Sequence, residues 1–261
     1  MTYEHIWTYN PKSNRWNKRT TTGDRPFATS DSRANIVNNA MYTFGGIGGG
    51  KRSNDVHQLD LVNLAWKKVD TTGVKPYKRR SHVQWCTTNS IIVFGGVGVG
   101  RLNDTFHLNI NTLKWTQPAT TGTPPARCGW SAYCQSADRG YLFGGNDGRN
   151  KLNDLYMLDF TSHEWTKFKP TGPIPCARSY ATLNMVRGEL FLCGGFVHDY
   201  GALSDVWFFD VHKKVWREIE NNYFNARRLH TSCVIGNQLY VFGGGNVKRK
   251  TIDSFGHFSF V

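Results

Sequence analysis

Ile91-Ile92-Val93-Phe94-Gly95-Gly96 is one of five short apolar runs in this chain that end on a glycine pair. The others are Met41-Tyr42-Thr43-Phe44-Gly45-Gly46, Tyr141-Leu142-Phe143-Gly144-Gly145, Leu190-Phe191-Leu192-Cys193-Gly194-Gly195 and Leu239-Tyr240-Val241-Phe242-Gly243-Gly244. Successive pairs lie 50, 49, 50 and 49 residues apart, and a tryptophan keeps the same beat at Trp16, Trp66, Trp115, Trp165 and Trp216. A fixed internal period of this length means one supersecondary unit repeated along the chain.

Around Gly95-Gly96 the unit reads as four short strands. Strand a is Ser81–Thr87, then a polar turn, then strand b from Ile91 to Phe94. After the glycine pair a loop leads to strand c, Thr105–Ile110, with apolar residues at alternate positions Phe106, Leu108 and Ile110. Strand d surrounds Trp115, and Thr120-Thr121-Gly122-Thr123-Pro124-Pro125 reads as a turn. An aspartate opens strand c each time: Asp55, Asp104, Asp154, Asp205 and Asp253. Recurrence in every repeat argues for a structural acid that accepts backbone N–H groups, not a catalytic one. Four antiparallel strands per repeat and no helical period predict an all-β fold of propeller blades.

These landmarks resemble kelch repeats, and the likeness covers essentially the whole chain. The resemblance implies a kelch β-propeller as a single domain, residues 1–261. It has a partial blade over 1–26, full blades over 27–76, 77–125, 126–175 and 176–226, and a partial blade over 227–261. Strands a and b of the first blade and strand d of the last are missing, so a six-position, imperfectly closed ring is expected. Trp115-Thr116-Gln117-Pro118, Arg139–Gly145, Leu190–Phe196 and Leu203-Ser204-Asp205 further resemble kelch substrate receptors of cullin-RING ubiquitin ligases, which capture protein C-termini ending in Gly-Gly. Their helical elongin-binding segment has no counterpart up to Val261.

Composition narrows the partners. The chain has 261 residues and a net charge of +13, which favours an acidic partner surface. No run of about 18 apolar residues predicts a membrane helix. The start, Met1-Thr2-Tyr3-Glu4-His5, does not read as a secretory signal. Six cysteines without a Cys-x-x-Cys, four of them in predicted strands (Cys86, Cys134, Cys193, Cys233), read as free buried thiols in a reducing compartment. An intracellular location, cytoplasm or nucleus, is expected.

Motifs for chemistry are weak. Gly45-x-x-x-x-Gly50-Lys51 imitates a phosphate-binding loop, but Arg52 follows where Ser or Thr belongs and no helix follows the loop. His57 and His107 share a packing phase; His82 and His230 share another in strand a; no metal-ligand spacing appears. No cofactor, metal or catalytic residue is expected, and the chain reads as a non-enzyme.

The arginines carry more. The first position of strand a is read as Thr29, Arg79, Arg127, Arg178 and Arg227, with Arg80 and Arg228 beside it. The b–c loops supply Lys51, Arg52, Arg101, Arg149, Lys151, Lys248, Arg249 and Lys250, and the d–a turns Arg25, Lys75 and Lys78. Both sets of loops emerge on one face of an up-and-down blade, so seventeen of the 32 basic residues face Asp24, Asp147 and Asp199 as the only acids of those loops, the strand-opening aspartates apart.

The expected function is a protein-binding module that docks an acidic or carboxylate-bearing peptide, since guanidinium forks match carboxylates. The alternative is a nucleic-acid-binding or scaffold propeller using the same face. It is disfavoured because the loops offer few aromatics beyond Tyr77, Trp130 and Tyr200. The candidate ligand residues are Arg79, Arg127, Arg149, Lys151, Arg178, Ser179, Tyr180 and Arg227. The resemblance refines them: two receptor arginines that hold the terminal carboxylate align with Asn146 and Lys151, a serine–tryptophan pair with Ser179 and Tyr180, and a further tryptophan with Leu102. Arg149 is the expected replacement for the lost fork. Cullin-RING ligase subunits are implied as partners through flanking sequence.

Overall fold

The structure, a computed structural model, describes residues 4–27, 30–198, 201–220, 224–246 and 255–259. Thr29, Asp199, Tyr200, Lys248, Arg249, Lys250 and Asp253 lie outside them. The described residues contain strands and no helix, so the all-β kelch-repeat reading holds. The chain divides into two compact units, residues 1–118 and 119–261.

In residues 1–118, a hairpin pairs His5–Asn10 with Arg15–Thr20. The next sheet runs in the order Thr22–Gly23, Ala65–Val69, Val56–Asp60, Ala40–Phe44, Arg33–Val37. A second sheet repeats it as Thr72–Gly73, Lys114–Thr116, Arg101–Asn109, Ser90–Val97, Val83–Cys86. Residues 119–261 hold a third such sheet, from Thr121–Gly122 through Glu164–Lys167, Lys151–Asp159 and Arg139–Asn146 to Ala132–Ser136. A four-stranded sheet follows (Thr182–Val186, Glu189–Cys193, Val206–Asp210, Val215–Ile219), then a three-stranded one (Thr231–Ile235, Gln238–Phe242, Phe255–Ser259).

Two strand limits differ from expectation. Strand b continues through the glycine pair to Val97 and strand c begins at Arg101, so the b–c hairpin extends into the loop. The register shifts between Phe94 and Gly96, where both glycines have positive φ (60° and 95°) and break the even ladder. The Thr-Thr-Gly segment is also more than a turn. It adds as a short parallel strand to strand d of the following repeat: Gly23 beside Trp66, Gly73 beside Trp115, Gly122 beside Trp165. Each of these segments is thereby stitched onto the edge of the sheet that follows it.

Glycine is required in that stitch. Gly122 has φ +75°, and a Cβ there would lie 2.1 Å from the Trp165 carbonyl oxygen. In the last copy only an isolated bridge, Thr171 to Val215, forms, and a Cβ on Gly172 would meet nothing within 4 Å.

The tryptophans pack between sheets. Trp115 lies 5.1 Å, centroid to centroid, from Phe44, and Trp216 lies 5.3 Å from Phe143. The residue before each of these glycine pairs is thus covered by the tryptophan of the next repeat, a contact worth about 0.5–1.5 kcal/mol beyond burial. Trp66, Trp115, Trp165 and Trp216 are buried. Trp16 differs: it sits in the two-stranded hairpin beside the Tyr9 ring and is 40% exposed. All six cysteines are free, but only Cys128 and Cys193 are buried, while Cys176 and Cys233 are exposed.

Gly122→Ala meets both an unfavourable backbone conformation and a backbone clash, whereas Gly172→Ala meets only the conformation. Urea unfolding should show a loss of about 1 kcal/mol for Gly172→Ala and at least twice that for Gly122→Ala; equal losses would mean that the stitch contributes nothing.

Candidate functional site

The first position of strand a is structural. Arg79 and Arg178 are fully buried. Arg79 donates from its two terminal nitrogens to both oxygens of Asp104, at 2.6 and 2.9 Å, and Arg178 does the same to Asp205, at 2.6 Å for each bond. The remaining donors reach backbone carbonyls: Tyr77 and Gly95 for Arg79, Cys176 and Gly194 for Arg178. Arg227, also buried, donates to the carbonyls of Asn225 and Gly243. These guanidinium forks, assigned from sequence to a ligand carboxylate, are directed into the fold. Asp104 and Asp205, expected to accept backbone N–H groups, are instead the acceptors of Arg79 and Arg178.

Arg127 lies one residue out of register. The bridges Arg80–Val97, Gly129–Asn146, Ser179–Phe196 and Arg228–Gly245 align Arg79, Arg178 and Arg227 with Cys128, and Arg127 is exposed. Asp154, without an arginine at Cys128, is met by Lys167 Nζ at 2.8 Å and by the Tyr156 hydroxyl at 3.3 Å. In the repeat that carries Thr29 at this position, Asp55 is met by Lys68 Nζ at 3.1 Å. The phase two residues after the aspartate, read as packing, also supplies donors: Tyr156 to Asp154 and Trp207 Nε1 to Asp205 at 2.8 Å.

Lys151, Ser179 and Tyr180 do come together, and they gather Phe196, Arg228 and Trp130, which were not among the candidate ligand residues. The antiparallel bridge of Ser179 to Phe196 sets these two residues side by side. Lys151 Nζ donates to Ser179 Oγ at 3.1 Å and stands 4.8 Å from the centre of the Phe196 ring. The Arg228 guanidinium stacks over the same ring at 4.4 Å. Tyr180, at φ +62°, lies 6.5 Å from Phe196 and 5.5 Å from Trp130, extending the aromatic surface. Desolvation, and then the nearby Arg228 charge, push the Lys151 pKa down. Among the described residues no carboxylate pairs with Lys151 or Arg228. In residues 1–118 the same phase is filled differently: Arg80 is paired with Asp31 at 3.0 Å.

Arg149 is exposed at the tip of its loop, where its backbone N–H donates to Asp147 Oδ1 at 2.7 Å. Asn146 uses its side-chain oxygen to accept from the Gly148 N–H. The cation that accompanies Lys151 over Phe196 is therefore Arg228. Its clue in the sequence was only its place beside Arg227, in the phase of Arg80 and Ser179. Leu102 belongs to residues 1–118 and contributes at the turn of Gly98, where a Cβ would lie 3.0 Å from it.

The other motifs resolve simply. Gly49 and Gly50 (φ 53° and 76°) turn a ribbon pairing Ile47–Gly48 with Lys51–Arg52, a geometry without the helix a phosphate loop needs. Among the described residues no three His, Cys, Asp or Glu side chains gather as metal ligands, and no helix is long and apolar enough to cross a membrane. His82 and His230 are buried strand-a residues packed against Gly45 and Gly194.

Glycine pairs, interlocking tryptophans and Thr-Thr-Gly stitches define a kelch-repeat domain, a class of protein-interaction module. The sequence pattern of the KLHDC2/KLHL20/DRC7 Kelch-repeats domain matches residues 1–145 and 86–260, and the chain belongs to that family. It is 33% identical to Kelch domain-containing protein 2 of Bos taurus over 274 residues, which cover 92% of this chain and 67% of that protein. The human protein of the same name is also 33% identical, with the same coverage. Kelch domain-containing protein 1 of Homo sapiens is 29% identical over 163 residues, covering 59% of this chain and 39% of the relative.

Asp205→Asn removes the charged partner of a fully buried arginine and should cost about 3–5 kcal/mol, whereas Asp154→Asn breaks a half-exposed pair and should cost at most about 1 kcal/mol. Paired denaturation curves test this; equal effects would show that the arginine fork is not what holds the repeat. A pH series tests His230, whose imidazole burial, reinforced by Arg227, lowers to about 3 from 6.5. The folded state keeps the ring neutral while the unfolded state protonates it near pH 6.5. Stability should fall as pH drops from about 6.5 towards 3, by up to roughly 4 kcal/mol from this residue. His230→Gln should flatten that slope relative to the unmodified chain.

Proposed function

We propose that the chain is a non-enzymatic binding module that captures a carboxylate of a partner peptide, preferentially its free C-terminus, at Lys151, Ser179 and Arg228. The observation that carries this reading is the pair of cations on one aromatic ring, 4.8 and 4.4 Å from its centre, without a carboxylate of their own among the described residues. Two like charges held close together raise each other's energy, and an incoming anion relieves that cost. Arg228 offers a planar fork, Lys151 a point charge and Ser179 a hydroxyl, which together can satisfy both oxygens of a carboxylate. Tyr180 and Trp130 supply an adjoining aromatic wall for the residues preceding the terminus.

Membership of the kelch family supports a protein partner. The likeness to ligase receptors supports a place as a substrate receptor in a cullin-RING ubiquitin ligase within the cytoplasm or nucleus. Lys151 and Arg228 differ in kind from a pair of arginines in one loop, so selectivity for Gly-Gly ends is expected to be relaxed.

The experiment is a peptide library screened with free and amidated C-termini, followed by titration of the best binder. The free form should bind at least tenfold more tightly, since each charged hydrogen bond contributes about 1.5–3 kcal/mol. Lys151→Ala and Arg228→Ala should each erase most of that preference. Equal affinity of the two peptide forms would remove the proposal.

A further inference from the structure

A second surface, built entirely within residues 1–118, is open, cationic and apolar at once. Two adjoining clefts, of ≈ 490 and ≈ 650 Å³, share Lys51, Arg52 and Lys78, and Lys75 joins them in the larger. All four side chains are exposed, and none forms an ion pair among the described residues. Among those residues, the one carboxylate lining either cleft is Asp55, already held by Lys68 and by the Ser53 hydroxyl at 2.9 Å. The net field is therefore strongly positive.

The same clefts are bordered by apolar groups that folding leaves open. Phe27 and Tyr77 are each 69% exposed and Val99 is 94% exposed. Phe27 is positioned, because its ring lies 3.4 Å from where a Cβ on Gly49 would stand. Among the described residues the two-residue strand Lys51–Arg52 pairs with Ile47–Gly48 on one side only; the far edge of Ile47 is taken by Ser30, and the next carbonyl, that of Ser53, accepts the Arg79 N–H at 3.0 Å. An edge of extended backbone with unpaired groups is a template for an added strand.

We propose that this groove docks an extended internal segment of a partner protein in which acidic residues alternate with Leu or Phe, independently of any chain terminus. Alternation sends carboxylates to one side and apolar side chains to the other, matching the cations and the exposed Phe27, Tyr77 and Val99. Nucleic acid has the charge, and its bases can stack on the two rings, but it has no use for the strand edge, so an oligothymidylate serves as the competing probe.

The test uses the full chain and a decapeptide alternating Glu with Leu and Phe, acetylated and amidated so that the Lys151 site has no terminus to hold. Fluorescence anisotropy should show binding that weakens severalfold between 50 and 300 mM salt. The double variant Lys51→Glu, Arg52→Glu should weaken it at least tenfold, and Phe27→Ala or Tyr77→Ala about fivefold each. All four are exposed side chains, so the melting temperature should stay within about 2 °C. As an independent readout, the Lys51→Glu, Arg52→Glu protein should keep its preference for free over amidated C-termini at the other site. A peptide with Ser in place of Leu and Phe, or a twelve-residue oligothymidylate, binding as tightly as the decapeptide would overturn the proposal. So would undiminished binding to the double variant.

Discussion

One buried arginine joins its own repeat to the one before it, by its backbone on one side and its guanidinium on the other. The carbonyl of Arg178 accepts the Gly145 N–H of the preceding repeat at 2.8 Å, and its own N–H donates to Leu152 of that repeat. Its side chain turns inward to grip Asp205 and the Gly194 carbonyl of its own repeat. Arg79 makes the same set in residues 1–118, accepting from Gly46 and gripping Asp104 and Gly95. A positive φ at the glycine pair is what lets the backbone approach this closely: a Cβ on Gly144 would lie 2.7 Å from the Arg178 carbonyl. Period, glycine pair and strand-opening aspartate are parts of a single joint.

The joint tolerates exchange of its cation but not loss of charge balance. Where the arginine position carries Thr29 or Cys128, the residue two after the tryptophan is Lys68 or Lys167, and it reaches the aspartate from strand d. Where the arginine is present, that residue is Gln117 or Glu218. A half-buried carboxylate without a partner is costly, so each of the four repeats whose aspartate is described supplies a cation from one strand or the other. The lysine pairs are more exposed and contribute less than the arginine forks.

This division separates structural charge from charge available to a ligand. Counting cations in loops treats Arg79, Arg178 and Arg227 as equals of Lys151 and Arg228. Burial reverses the first three, whose hydrogen bonds are filled inside the fold. Arg228 is left over the Phe196 ring with Lys151 as neighbour, and the ring's electron-rich face holds both without neutralising them. Ring and hydroxyl orient the cations while leaving their donors for another molecule.

The 50-residue beat, the four-strand pattern and the turn glycines are local in origin. They follow from alternation along a strand and from φ angles that only certain residues adopt, so the sequence alone determined an all-β kelch repeat. Lys151, Ser179 and Tyr180 were legible by alignment with related motifs. Arg127 was placed one residue out of register because Cys128 fills the joint, and strand pairing, not residue type, sets that register. The pairing of Arg79 with Asp104, 25 residues on, and the meeting of Lys151, Phe196 and Arg228 across three repeats, join side chains distant in the chain. Only the tertiary structure decided which arginines face inward, because desolvation and hydrogen-bond geometry act between strands that lie far apart in the order of residues.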